Sequence, residues 1–262
     1  MEETLAEIEF LALSPNRVTV LERLAEGGHS RSELAEATGA SQATLGRILG
    51  DFEERDWVTR TAGGYAATAT GRLVAEGFRD LLDVMAAERE LRSVVTYLPT
   101  EAMEFDFRSL ADANIVTPTE TRPNAPLQRL LALLREADSV TAFSHALNDQ
   151  SLSVVADRLG EQAFEAVLTR GAVDSLTADD GLRERLRTVV AAESAGIRVY
   201  DGEIPLAVTI ADDVVNLLVR DDRGVVQASV DTANPAVMEW AERRYEHYRG
   251  RSEPLTLDSL GE

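Results

Sequence analysis

The 262-residue chain contains no cysteine, which excludes disulfide frameworks, cysteine-ligated zinc, iron–sulfur clusters and thiol catalysis. Lysine is absent as well, because all 26 basic residues are arginine. A P-loop lysine, a Schiff base and a kinase-type phosphate lysine are therefore ruled out. Histidine occurs only at His29, His145 and His247, too few for a multi-histidine centre, so neither a metal nor a cofactor is expected. No apolar run approaches the ~20 residues that cross a bilayer, and the start does not resemble a signal peptide. The expectation is a soluble, cytoplasmic protein without a membrane partner. The length suggests two domains and buries roughly 70–75 % of the unfolded surface without a disulfide or metal.

What is abundant is acid. With 46 acidic residues against 26 basic ones the net charge is -20 at pH 7, yet the composition is 44 % hydrophobic. Steady hydrophobic periodicity argues against an acidic disordered chain. A folded, lysine-free, acid-coated protein suits a salt-loaded cytoplasm such as that of halophilic archaea, where salt screens self-repulsion. Strong acidity ordinarily argues against nucleic acid. One stretch departs from the rest: residues 14–72 hold 7 arginines and 8 acids, a net of -1, leaving -19 elsewhere. A surface that must meet polyphosphate is a natural reason for sparing it.

The same stretch has the strongest local pattern. Val18, Leu21 and Leu24 form a helical apolar stripe ending at Gly27-Gly28. Ser30 and Glu33 have capping-box spacing and start a short helix that turns Leu34 and Ala35 inward. Gly39 makes a tight turn, and Ser41 caps the next helix, whose inward face is Leu45, Ile48, Leu49 and Phe52. That order is helix-turn-helix geometry. Residues 57–61 and 65–68 alternate around Ala62-Gly63-Gly64, which reads as a β-hairpin, or wing. In such a fold the start of the second helix enters the major groove, placing Ser41, Gln42, Thr44 and Arg47 there. Gln pairs bidentately with adenine and Arg with guanine, while Ser and Thr serve a base or a phosphate. Arg31 and Arg60 are suited to phosphates. His29 reads as a solvated loop residue.

Residues 70–98 run without proline, with Val74, Phe78, Leu81 and Met85 on an a/d-like stripe flanked by Leu73 and Leu82. A helix this long either pairs two subunits or packs on its own second domain; a homodimer is expected, because one small module rarely supplies enough specific contact. Residues 99–126 read as irregular, with Phe105, Phe107, Leu110, Ile115 and Val116 available for packing. Beyond them helices (127–136, 149–159, 182–195 closed by Gly196, 235–248) alternate with strands (139–143, 164–168, 197–200, then 206–210, 214–219 and 225–230). The expected fold class is α/β and multi-domain: a winged helix-turn-helix at 1–72, a connecting and possibly dimerising helix at 73–98, and a mixed-sheet α/β effector domain at 99–262.

Three segments carry a more specific likeness: GGYAATATGRLVAE, LADANIVTPTETRPNAPLQRLLALLREAD, and GIRVYDGEIPLAVTIADDVVNLLVRDDRGVV with NPAVMEWAERRYEHYR after it. In them the chain resembles the archaeal winged-helix regulators that carry the middle domain named after the methanogenesis regulatory protein. The resemblance implies a transcription regulator whose second domain is similar to the phospholipase-D-like effector domain of TrmB-type sugar-responsive regulators. No particular ligand comes with it.

An active phospholipase-D-like site needs paired His and Lys, and the chain has no Lys. No catalytic residue is therefore assigned. Ser144, His145 and Asn148 follow a strand, where α/β folds present polar groups to ligands, and are the candidate contacts for a small-molecule effector. Asp212-Asp213 and Asp221-Asp222 read as hairpin turns rather than metal ligands. The function expected is binding of double-stranded DNA, modulated by an effector. The alternatives are a winged-helix module that docks on protein and an Asp/Glu-dependent hydrolase.

Overall fold

The computed structural model describes residues 1–260, which divide into two units, Met1–Met85 and the residues from Ala86 onward. The first contains α1 (Glu2–Ala12), α2 (Pro15–Glu26), α3 (Arg31–Thr38), α4 (Gln42–Glu54), β1 (Val58–Thr61) and β2 (Gly64–Ala67). The helix α5 (Ala69–Leu91) follows and runs past its end. The helix-turn-helix forms where its local signals lie. The Ser30 hydroxyl accepts from the Glu33 amide at 3.3 Å while the Glu33 carboxylate accepts from the Ser30 amide at 2.7 Å. Gly39 closes α3 with φ +68°, a left-handed conformation that costs a glycine little. The Ser41 hydroxyl then caps α4 through the Thr44 amide at 3.2 Å. Leu45, Ile48, Leu49 and Phe52 turn inward onto Leu21, Leu24 and Leu34.

The wing is tied to the helices by a single antiparallel bridge. His29 and Tyr65 exchange two backbone hydrogen bonds of 2.9 Å each, so the loop at His29 is pinned to the wing rather than free. The approach is close: a Cβ at Gly64 would stand 2.2 Å from the His29 carbonyl oxygen, which only glycine tolerates. The helix α1 carries no comparable sequence signal. It covers the core with Phe10, whose ring centre lies 6.1 Å from those of both Phe52 and Trp57. The Arg17 and Arg55 guanidinium carbons sit 4.0 and 3.9 Å from the Phe10 ring centre, each contact contributing about 0.5–1 kcal/mol. On α5, Val74 and Phe78 join this core, whereas Leu81 and Met85 stand 39 % and 53 % exposed. The expected helix to residue 98 stops at Leu91, and the remainder tightens into a 3-10 turn, Val95–Tyr97. The β-branched run Val94, Val95, Thr96 loses side-chain freedom in a helix, which favours the break.

The second unit is built on a sheet of eight strands: β3 (Asn114–Val116), β4 (Ser139–Ser144), β5 (Ala163–Thr169), β6 (Ala195–Tyr200), β7 (Ala207–Ala211), β8 (Val214–Arg220), β9 (Val226–Thr232) and β10 (Glu253–Pro254). Their order is β10-β6-β5-β4-β7-β8-β9-β3. β4, β5 and β6 are parallel, and every other pairing is antiparallel. The helices α6 (Ala125–Glu136), α7 (Asp149–Asp157), α8 (Arg170–Thr177) and α9 (Asp180–Val190) bury one apolar layer against the sheet, with Leu131, Leu152, Leu168 and Leu186 at its centre. A second layer joins α10 (Pro235–Arg249) to residues 91–110, centred on Trp240, Leu110, Val215 and Leu217. The fold is the expected mixed α/β one.

Three local expectations change. The stretch 99–126 contains the edge strand β3, and α8 fills a segment in which no element is expected from the sequence. Residues 191–195 leave the expected helix because the sheet claims them: Phe164 N donates to the Ser194 carbonyl at 2.9 Å, and Gly196 lies in β6 opposite Glu165. Tertiary pairing overrides helix propensity there. A buried polar clamp fastens the far edge. The Asp231 carboxylate, 5 % exposed, accepts from Arg129 Nη2 at 2.7 Å and from the Asn114 amide at 3.1 Å, joining α6, β9 and β3.

Candidate nucleic-acid interface

Burial of Leu45, Ile48, Leu49 and Phe52 leaves the opposite face of α4 outward. Gln42, Ala43 and Arg47 are exposed on it, with Gly46 and Gly50 between and beyond them. No acid lies in the first turn of α4. The unpaired amides of that turn carry the partial positive charge that favours an approaching phosphate.

The candidate residues fall into three groups. Ser41 and Thr44 are engaged in the cap, their hydroxyls 3.0 Å apart. Arg31 reaches from α3 to the start of α4, where its Nη2 donates to the Gln42 carbonyl at 2.7 Å. Gly46 leaves room for it: a Cβ there would stand 2.8 Å from that nitrogen. On the wing, Arg60 makes a forked pair with Glu53, Nε to Oε1 at 2.9 Å and Nη2 to Oε2 at 3.3 Å. The hydrogen bond that Arg60 donates to the Glu53 carboxylate holds the guanidinium above its usual pKa, and the Tyr65 ring centre lies 5.7 Å from it.

Arg47 is different. Among the described residues it has no carboxylate or carbonyl partner. The other arginines of residues 14–72 are engaged: Arg17 with Asp51, Arg23 with Glu26, Arg55 with Glu7, Arg60 with Glu53, Arg31 with the Gln42 carbonyl and Arg72 with the Ala67 carbonyl. Near-neutral composition therefore does not mean seven available cations. Sequence spacing had no access to this, because Glu7 and Arg55 are 48 residues apart.

The candidate effector contacts are not brought together. Ser144 and Asn148 line a narrow apolar void of about 40 Å³, and both are engaged locally. The Ser144 hydroxyl donates to the Ala146 carbonyl at 2.6 Å, and the Asn148 side chain caps α7 through the Ser151 amide at 2.8 Å. His145 lies beside a separate, larger cavity. Adjacent residues at a strand end point to opposite faces, which separates them. Burial, and then the Arg220 charge, lower the His145 pKa, while the Ile204 backbone partly opposes the shift. Among the described residues no group of three or more His, Asp or Glu is arranged to hold a metal, and no helix is long and apolar enough to cross a membrane.

A winged helix-turn-helix followed by a mixed-sheet α/β unit in one chain defines the fold class. Residues 5–90 match the family described as the HVO_A0261 N-terminal domain, and residues 123–251 match the middle domain of methanogenesis regulatory protein FilR1. The two matches fall in the order that the sequence resemblance implied, the first over the winged helix-turn-helix and the second over the α/β unit. No curated protein matches it. Among solved structures it is similar to TrmBL2, an archaeal chromatin protein, at 16 % identity and TM-score 0.41, covering 95 % of this chain and 98 % of that one. It is also similar to the phospholipase D family member Nuc from Salmonella typhimurium, at 13 % identity and TM-score 0.42, over 55 % of this chain and 99 % of that one. NucT from Helicobacter pylori is similar at 10 % identity and TM-score 0.40, over 55 % and 98 % of the two chains. Scores this low carry no functional argument.

Proposed function

We propose that the chain is a DNA-binding transcription regulator that reads duplex DNA with the outward face of α4. The observation that carries this reading is Arg47, the one arginine of residues 14–72 whose guanidinium is not engaged by the protein, exposed beside Gln42 in the segment spared the acid coat. Arg47 and Gln42 supply base contacts, and the small residues Ala43, Gly46 and Gly50 let the helix approach the groove floor. Ser41, Thr44, Arg31 and Arg60 contribute at the phosphates. The present bonds of Arg31 and Arg60 leave donors free, since a guanidinium has five N–H groups. Residues 1–72 serve as the DNA-binding domain, 73–98 as the connecting and dimerising helix, and 99–262 as the effector domain.

A homodimer supplies the second recognition helix. Supporting it is an apolar groove of about 300 Å³ within the first unit, lined by Ile8, Leu11, Trp57, Leu73, Phe78 and Leu81, which a second copy would cover. Leu73→Asp/Leu81→Asp should give a monomer by sedimentation, while a wild-type monomer removes the dimer from the reading. The effector acts by population shift, binding one arrangement of the dimer more tightly than the other. The chain works without catalysing a reaction, in a salt-loaded cytoplasm; folding that is complete without molar salt would count against that setting.

The test is binding of the purified protein to a genomic fragment library at high KCl, beside a Gln42→Ala/Arg47→Ala variant. Sequence-specific enrichment lost in the variant supports the reading. Absence of enrichment, or equal enrichment by both proteins, overturns it in favour of protein docking or of another DNA surface.

A further inference from the structure

We infer that the cavity at the end of β4 is a binding site for a small organic oxyanion, a phosphate ester or a carboxylate, with Arg220 as its main counter-charge and His145 as a second contact. The inference rests on the effector reading for its biological use, but the site itself is argued from the cavity. The sheet register assembles it. Phe143 on β4 lies opposite Val208 on β7, and Ala207 lies opposite Leu218 on β8, so continuing both ladders brings His145, Pro205–Leu206 and Arg220 to one edge. This edge is the carboxyl end of parallel strand β4, where α/β sheets commonly hold ligands.

The cavity has a volume of about 470 Å³, within the range of small-molecule sites and too large for a bare inorganic ion. Leu98, Pro99, Pro205, Leu206 and Leu218 add apolar surface to a lining that is otherwise polar, which suits an occupant with a charged head and a small carbon body. Its polar groups are undersatisfied. Arg220 is half-buried and its Nη1 donates to the Gly224 carbonyl at 2.9 Å, but its Nε is buried without a partner. No carboxylate of the described residues lies within ion-pair distance of it. Burial accordingly lowers its pKa, the opposite of what an acid neighbour does for Arg129. His145 Nδ1 is likewise buried and unpartnered. A buried polar group left unsatisfied costs about 1–3 kcal/mol, more when charged, and an oxyanion beside both would relieve it.

Two acids also line the cavity. The Asp221 carboxylate is committed to its own turn, accepting from the Arg223 and Val225 amides at 2.9 Å each and from the Gln227 side chain at 2.8 Å. Asp222 is exposed at the rim and opposes multiply charged ligands. Tyr97 adds a phenol and Thr96 a hydroxyl. An anion next to His145 favours its protonated ring, so affinity rises as pH falls through the histidine range, against the smaller opposing effect of Arg220.

The experiment uses the full chain at fixed KCl, with glycerol 3-phosphate, malate and inorganic phosphate as probes and glycerol as the neutral control. Binding is read by calorimetry and by the NMR shift of the His145 ring, assigned with His145→Gln among three histidines. We expect glycerol 3-phosphate or malate to bind and shift His145, and whichever binds distinguishes ester from carboxylate. Affinity should fall at least about tenfold in Arg220→Gln and lose its pH dependence in His145→Gln. Equal affinity in Arg220→Gln, or no probe moving the wild-type His145 resonance, overturns the site. If Arg220→Gln does not fold, the wild-type resonance decides alone. Binding of an anion that leaves operator affinity unchanged keeps the site and removes its sensing role. An operator response to a neutral compound with no anion binding does the reverse.

Discussion

Arg47 and Arg220 both lack a carboxylate partner, in two regions that place opposite demands on an arginine. Arg47 is exposed on the outer face of α4, where water solvates an unpaired guanidinium at little cost. Arg220 is half-buried at the end of β8, where desolvation lowers its pKa and no acid compensates. In a chain with 46 acids against 26 bases, partners are plentiful. The exposed arginine therefore gains meaning from its neighbours, since the others in its segment are engaged. The buried one gains meaning from its own cost. The same missing partner points to a macromolecular surface in one unit and to a small-ligand cavity in the other.

The sharpest way to break the comparison is to turn Arg129 into a second Arg220. Removing its partner in Asp231→Ala strands a part-buried guanidinium and the Asn114 amide, and should destabilise the second unit by about 2–3 kcal/mol in denaturant unfolding at fixed KCl. A loss under ~0.5 kcal/mol would mean that Arg220 also costs little and that its isolation carries no information. Next in size is Arg47→Ala, expected to lose about 1–3 kcal/mol of specific operator binding while leaving stability within ~0.5 kcal/mol. Arg220→Met should be neutral or up to about 1 kcal/mol stabilising, because an apolar chain of similar length needs no counter-charge. A clear destabilisation would recast Arg220 as structural. Arg60→Ala, which removes an exposed pair with Glu53, should leave the unfolding midpoint in denaturant essentially unmoved and weaken DNA binding less than Arg47→Ala does.

The smallest expected effect concerns pH. Burial lowers the folded-state pKa of His145, so below the ordinary histidine range the unfolded chain takes up a proton that the folded chain refuses. Stability should therefore decline as pH falls through that range, and the decline should shrink in His145→Gln. A bound oxyanion should reverse its sign, which couples this measurement to the cavity.

Legibility follows interaction range. The Ser30–Glu33 cap, the Gly39 turn, the Ser41 cap and the inward face of α4 involve neighbours a few residues apart, and residue spacing suffices to read all of them. The strands β4 to β9 are readable as apolar runs between turns. The helix α8 has a local signal too, a Thr169 cap on the Ala172 amide and an inward face of Ala172, Val173 and Leu176, but it spans only eight residues directly after a strand, too short for periodicity to separate from a turn. The edge strand β3 exists only through its pairing with β9, about 115 residues later. At the interface, the residue types are legible but their availability is not: Arg31, Arg47 and Arg60 look alike in sequence.

By itself, then, the sequence determined the helix-turn-helix, the wing, the α/β class and the exclusion of thiol and lysine chemistry, because these follow from residue identity and short-range periodicity. Only the tertiary structure decided which arginines are engaged, that His145 parts from Ser144 and Asn148, and that Arg220 reaches the same cavity as His145. Those outcomes depend on sheet register and on ion pairs between distant segments, and a chain of 262 residues offers far more possible pairs than spacing alone can choose among.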